Sequence, residues 1–291
     1  MNRISFSSQD LKVPLVQLRP LQEISDPPKL LFAKGDPSIL NRPCIAIVGT
    51  RRPSLYGIRS ALYFSKKLAS IGFTIVSGLA RGIDSYAHRG ALLGKGMTAA
   101  VLGHGLSRVY PPENKILAQM ILQKGGLLLS EYEPSEPPMK HYFPQRNRII
   151  SGLSLGVLIV EAAEKSGSLI TAQAALDQNR EVFVVGSRFD EKSFKGGNLL
   201  LQQGAKMVLS VEDILEEFPL LSLSKGNNGS PIDESFERLK QWFDSHDGII
   251  HLAQIYLLPR TRRDEMLKSL HQAIQESLVI EIPQQQFLWL E

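Results

Sequence analysis

Residues 44–54 read Cys44-Ile45-Ala46-Ile47-Val48-Gly49-Thr50-Arg51-Arg52-Pro53-Ser54. Five apolar residues run without a polar break, a glycine follows, two adjacent arginines come next, and a helical pattern starts at Tyr56. An unbroken Val/Ile run of this length reads as a strand buried on both faces. The same succession recurs, with apolar runs at 73–76, 98–102, 127–129, 157–160 and 182–185 and a weaker one at 206–209. Between them lie helical spacings. Ile58, Ala61, Leu62, Leu68 and Ile71 mark one, and Leu169, Ala172, Ala175 and Leu176 another. Strand alternating with helix predicts an α/β fold over 43–218, a Rossmann-like, doubly wound parallel sheet with right-handed crossovers.

The flanks differ from this core. Residues 1–42 are proline-rich and read as an extended lead-in. Residues 219–231, "PLLSLSKGNNGSP", read as a linker. Residues 232–291 read as a small module, with helices at 232–245 and 262–278. The second helix places Met266, Leu267, Leu270, Ala273, Ile274 and Leu278 on one face, with Thr261 and Asp264 as a capping box. "LVIEI" and "QFLWL" then read as a hairpin. Helices followed by a hairpin predict a winged-helix-like domain.

The chain has 291 residues, 43% hydrophobic and 21% charged, the composition of a globular protein. No apolar run has the length of a membrane span. The opening "MNRISFSSQD" carries no apolar h-region, so the expected compartment is the cytoplasm. A single cysteine, Cys44, excludes an internal disulfide and a cysteine-based zinc finger. The net charge of +4 is meaningful only if the basic residues share a surface.

In a parallel sheet the loops that leave the carboxyl ends of the strands line one edge, where such folds bind ligands. Here nearly every such loop sets glycine beside a cation: Arg51, Arg52, Arg81, Arg108, Lys140, Arg146, Arg148, Lys165, Arg188 and Lys195. Glycine lets the backbone approach a ligand, helix N-termini add partial positive charge, and arginine offers a fork that fits phosphate oxygens. Several such loops along one edge describe a track for a chain of phosphates. For any single arginine, pairing with a nearby carboxylate is at least as good a reading. For "GTRRPS" and "EKSGS", both at strand-to-helix turns, the anion site is favoured. Tyr110, Tyr142 and Phe143 lie in the same loops. For Phe143, stacking on a base and plugging the sheet edge stand equal.

Other motifs fail on context. Gly90–Lys95 is one residue short of a P-loop and lacks the Ser or Thr. Gly103-His104-Gly105 has no third glycine to complete a dinucleotide fingerprint. Gly152-Leu153-Ser154-Leu155-Gly156 matches G-x-S-x-G but precedes a strand, where a nucleophile elbow follows one. His88, His104 and His141 show no metal-ligand spacing. Asp84 and Glu161 sit at strand ends, where capping a loop and binding backbone amides is preferred to catalysis. No metal, cofactor or catalytic residue is expected.

Taken together, "GTRRPSLYG", "SGLARGIDSYAHRGAL", "LGHGLSRVYPPEN", "FPQRNRIISGLSLGVLIVEAAEKSGSLITAQAAL" and "NLLLQQGA" closely resemble, in order over 26–217, the DNA-processing protein A family, called DprA or Smf. The resemblance implies an extended Rossmann-like domain that binds single-stranded DNA. It also implies protection of incoming strands in natural transformation, loading of the RecA recombinase, and a homodimer. It assigns DNA binding to Gly49, Thr50, Arg51, Arg52 and Ser54, to Arg146, Asn147 and Arg148, and to Lys165, Ser166, Gly167 and Ser168. The loop reading adds Arg81, Lys140 and Phe143.

The sequence departs from the family at three places. The N-terminal helical module of many members is represented only by the lead-in. Val185 precedes Gly186 where the family often has proline, and "RFDEKSF" departs from the usual loop, so no DNA contact is carried to Arg188 or Lys192. The competing readings are a nucleotide-processing enzyme of the lysine-decarboxylase-like (phosphoribohydrolase) group, whose P-G-G-x-G-T motif is missing here, and a winged-helix duplex binder.

Overall fold

The computed structural model describes residues 11–13, 19–218, 234–246, 248–251, 254–255, 257–258, 260–275, 279–282 and 286–289. The chain divides into two compact units, Met1–Lys225 and Gly226–Glu291.

The first unit is built on a nine-stranded sheet. Its strands are β1 (Leu11–Val13), β2 (Leu31–Gly35), β3 (Cys44–Val48), β4 (Thr74–Ser77), β5 (Thr98–Leu102), β6 (Leu127–Ser130), β7 (Gly156–Ile159), β8 (Glu181–Val185) and β9 (Lys206–Val208). The order across the sheet is β1-β2-β6-β5-β4-β3-β7-β8-β9. From β6 to β9 every pairing is parallel. β2 joins β6 antiparallel, and β1 joins β2 antiparallel. All seven apolar runs form the parallel strands. The two antiparallel strands come from the residues ahead of 43, where the sequence reading has only a lead-in.

The helices of this unit are α1 (Arg19–Gln22), α2 (Leu55–Ser70), α3 (Ile83–Leu93), α4 (Lys115–Gln123), α5 (Tyr142–Gly152), α6 (Ser168–Asp177), α7 (Lys195–Gln202) and α8 (Glu212–Leu215). The unbroken apolar runs follow from burial on both faces. Leu127 and Leu129 of β6 enter one core cluster with Ile149, Ile150, Ala172 and Ala175 from α5 and α6, while Leu128 enters another with Leu117, Ala118 and Ile121 from α4. Helix α2 starts where the Ser54 hydroxyl accepts the Gly57 N–H at 3.1 Å, and it buries Ile58, Ala61, Leu62, Phe64 and Leu68. Each of the larger of these side chains contributes roughly 1.5–3 kcal/mol by leaving water. Gly152–Gly156 does precede a strand, and the Ser154 hydroxyl is tied to the Ile150 carbonyl at 2.9 Å.

The chain order reverses between the neighbours β3 and β7, inside the parallel part of the sheet. Strands β3 to β6 are laid outward to one side and β7 to β9 to the other. The loops leaving β3 and β7 therefore diverge and open a crevice at the carboxyl edge.

The second unit contains α9 (Glu234–Asp244), β10 (Ile249–His251), α10 (Arg260–Gln275), β11 (Val279–Ile282) and β12 (Gln286–Trp289). The strands form an antiparallel sheet in the order β10-β12-β11. Leu239, Phe243, Ile250, Met266, Leu270, Ala273, Val279 and Phe287 make its core. Two details differ from the sequence reading. Helix α10 begins ahead of Thr261, which so lies inside its first turn, and Ile274 is exposed. Leu278 and the linker 219–231 lie outside the described residues. No helix among the described residues is long and apolar enough to cross a membrane.

Candidate nucleic-acid interface

At the crevice between the β3 and β7 loops lies an open cleft of about 680 Å³. Gly49, Thr50 and Arg51 line it from the β3 loop, Lys140 from the approach to α5, and Phe143, Arg146 and Asn147 from α5 itself. Lys165, Ser166, Gly167 and Ser168 line it from the β7 loop and the start of α6. The fold thus gathers into one concavity eleven of the fifteen residues singled out from the sequence, drawn from segments over a hundred positions apart. Arg52 and Ser54 stand on the same β3 loop outside the lining. Arg81 borders a smaller hollow beside the cleft, shared with Arg51, Tyr110, Phe143 and Arg146. Arg148 lines neither.

The cations divide by their partners. Arg51, Arg52, Lys140 and Lys165 are exposed, and no ion pair to any of the four occurs among the described residues. Arg51 lies over the Phe143 ring, 5.8 Å from its centroid. The others are engaged by protein. Arg81 pairs with Glu113. Arg148 donates to Asp26 at 2.7 Å and to both oxygens of Glu131 at 2.7 and 2.9 Å. Arg188 pairs with Asp190 and Lys195 with Glu164.

Arg146 is the extreme case. It is 4% exposed, and its Nη1 donates to the Gly78 carbonyl at 2.8 Å and to the Val101 carbonyl. The guanidinium ties the loop after β4 to the end of β5. A Cβ at 78 would stand 2.7 Å from the Arg146 Cζ, so a larger residue there requires the guanidinium to move. Asp84 lies in the same buried layer and accepts the Gly78 and Ala80 amides at 3.1 and 3.4 Å. Burial pushes the Asp84 carboxyl up, against the opposing pull of Arg146. Burial also draws Arg146 down to about 10, which leaves it charged near neutrality.

Two histidines complete this layer. His88 Nδ1 lies 2.6 Å from the Thr98 hydroxyl, which itself donates to the Ile75 carbonyl at 2.7 Å. Thr98 therefore accepts, the proton sits on Nδ1, and Nε2 has no hydrogen-bond partner among the described residues. Burial, with the Arg146 charge, holds the His88 pKa at about 3. His104 is also buried. Its Nδ1 faces the Gly105 carbonyl at 2.9 Å, and its Nε2 accepts the Tyr110 N–H at 3.3 Å, fixing the loop that carries Tyr110. Burial lowers its pKa too.

Phe143 is placed between the two readings. Its ring covers Gly103 and sits 5.8 Å from the Tyr110 ring, and it also faces the cleft. Glu161 takes the capping role expected of it. At 1% exposed, it accepts the Ser54 N–H at 2.9 Å and the Ser54 O–H at 2.8 Å through one oxygen, Oε2. Among the described residues no group of three or more metal-ligating side chains occurs.

Residues 10–219 match the family described as DNA recombination-mediator protein A. The chain belongs to that family. It is 50% identical over 202 residues to DNA processing protein DprA of Bacillus subtilis, covering 68% of this chain and 67% of that one. It is 47% identical over 192 residues to Protein Smf of Escherichia coli, covering 66% of this chain and 51% of that one. The match thus spans about half the length of the Escherichia coli relative. Among solved structures, DNA processing protein A from Helicobacter pylori superimposes with a TM-score of 0.66 at 34% identity, covering 73% of this chain and 96% of that one. That structure addresses the relative's unique single-stranded DNA binding mode. The shared fold is the α/β sheet of the first unit.

Proposed function

We propose that this chain is a non-enzymatic protein that binds single-stranded DNA in the cleft between the β3 and β7 loops. The carrying observation is that Arg51, Lys140 and Lys165, exposed and in no ion pair among the described residues, meet on one cleft from three separate loops. Cations left unpaired by the protein keep their full charge for an anion. The start of α6 adds a partial positive charge beside Lys165. Arg52 extends this potential onto the rim. Phe143, with Arg51 over its face, offers a surface on which a base stacks. Gly49, Thr50, Asn147, Ser166, Gly167 and Ser168 shape the wall. Ser54, Arg81, Arg146 and Arg148 act indirectly in this reading, because each is already engaged by a protein partner.

The binding mode described for the Helicobacter pylori relative supports the choice of a single strand. Few side chains in the cleft are suited to reading base edges, so binding is expected to show little sequence preference. In keeping with the family, the protein protects incoming strands in natural transformation, helps load the RecA recombinase, acts as a homodimer and works in the cytoplasm. The second unit, read as winged-helix-like, is not needed for the cleft.

The test is titration of single-stranded and duplex oligonucleotides of equal length across a salt series. Tighter single-strand binding with a steep salt dependence is expected. Equal affinity for both would overturn the assignment, and nucleotide hydrolysis or DNA cleavage that scales with pure protein would overturn its non-enzymatic part.

A further inference from the structure

We infer that Glu161 is a positioning residue for strand binding: it latches the β3 loop to the β7 loop, so that the cations the two loops carry are held at a set spacing. The inference rests on the reading of the cleft as a DNA site.

Three contacts make the latch. The Thr50 amide donates to the Glu161 backbone carbonyl at 2.7 Å, and Oε2 of the side chain accepts both the Ser54 amide and the Ser54 hydroxyl. One residue at the end of β7 thereby grips both ends of Thr50–Ser54, the segment that carries Arg51 and Arg52. The grip is tight from the helix side as well. A Cβ at Gly57, in the first turn of α2, would come 3.3 Å from the Glu161 Cδ and closer still to Oε2, so residue 57 leaves the room the carboxylate occupies. The Ser54 hydroxyl donates its one proton to Glu161 and accepts from the Gly57 amide. It has no second proton for a phosphate.

On the other side, Glu161 lies four residues before Lys165, in the loop that leads to the cleft wall at Ser166–Ser168. A buried carboxylate beside an anion site opposes the ligand by charge. Its presence is accounted for by the geometry it imposes, since one side-chain oxygen accepts both Ser54 bonds. The side chain is 1% exposed and does not line the cleft, so it acts through Thr50 and Ser54 and does not touch DNA.

The test is single-strand affinity of the full chain for wild type and four variants, each read with a thermal melt and below its melting point. Glu161→Ala should bind at least tenfold more weakly while still folded. Glu161→Gln, whose amide oxygen takes the place of Oε2 and accepts both Ser54 bonds, should recover to within threefold of wild type. Ser54→Ala should weaken binding by less than Glu161→Ala, and the double variant Ser54→Ala/Glu161→Ala should bind as the weaker single does, because both remove the same latch. Should Glu161→Ala fail to fold, Ser54→Ala and Glu161→Gln decide. Folded Glu161→Ala with wild-type affinity, Ser54→Ala with wild-type affinity, Glu161→Gln as weak as Glu161→Ala, or losses that multiply in the double variant would each overturn the latch. Arg51→Ala is the control for the site itself. If it too binds like wild type, the cleft reading has failed; if it weakens binding while Glu161→Ala does not, only the latch has.

Discussion

Arg51 and Arg146 line the same cleft, yet one guanidinium is exposed above the Phe143 ring while the other is 4% exposed and donates to two backbone carbonyls. Arg51 has no carboxylate partner among the described residues. Arg146 faces Asp84 across the buried layer. What separates them is the supply of acceptors. Among the described residues no acceptor bonds the Arg51 side chain, whereas α5 aims Arg146 at the carbonyls of Gly78 and Val101. An arginine at this sheet edge either holds the edge together or remains available to a ligand.

The comparison breaks first at Arg146. Arg146→Ala leaves two carbonyls without their donor and Asp84 without its counter-charge, so unfolding in urea should show a loss of about 3–5 kcal/mol. A variant of wild-type stability would move Arg146 to the ligand side. Arg51→Glu is the converse case. It changes charge by two units beside a phosphate, and at roughly 1 kcal/mol per charge in water it should weaken single-strand binding about thirtyfold. Its melting point should stay near that of wild type. A large drop in stability would show that Arg51 too has a structural role.

The buried layer should also respond to acid where the cleft does not. His88 titrates in the fold at about 3 against an ordinary 6.5. The unfolded chain therefore binds the extra proton between these values, and stability is complete above 6.5 and falls as pH drops toward 3. The slope is about 1.4 kcal/mol per pH unit where only the unfolded state is protonated. Denaturant melts across this range, with His88→Gln flattening the slope, check it. The smallest effect sharpens the ligand side. Lys165→Ala should lower the log–log salt slope for single strands by about 0.7, one phosphate contact.

The sequence made the parallel strands legible because burial on both faces leaves runs with no polar residue, as in Cys44–Val48. It hid β2, since "LFAKG" is short, partly polar and pairs with β6 almost a hundred residues later. The cleft was legible in outline, through glycines and cations after strand ends. The division among those cations was not. Arg148 depends on Asp26, 122 positions away, and Arg81 on Glu113, 32 away. "PQRNRI" contains nothing that tells Arg146 from Arg148, or either from Arg51. Partner choice is set by the turn of α5 and by the empty place at residue 78, and both exist only once the chain has folded. Glu161 had a usable signal, a carboxylate at the end of a central strand, although Ser54, its partner, lies 107 positions away.

The tight space at Gly78 has a genetic consequence. Positions 78 and 146 behave as one locus, because the smallest added side chain at the first displaces the guanidinium of the second. A scan of all substitutions should find them intolerant together, with Gly78→Ala reproducing the instability of Arg146→Ala although it removes no charge and no donor. An apolar residue at 146 short enough to leave room for a methyl group at 78 should then soften that defect, so the double variant is less unstable than the sum of the two single losses.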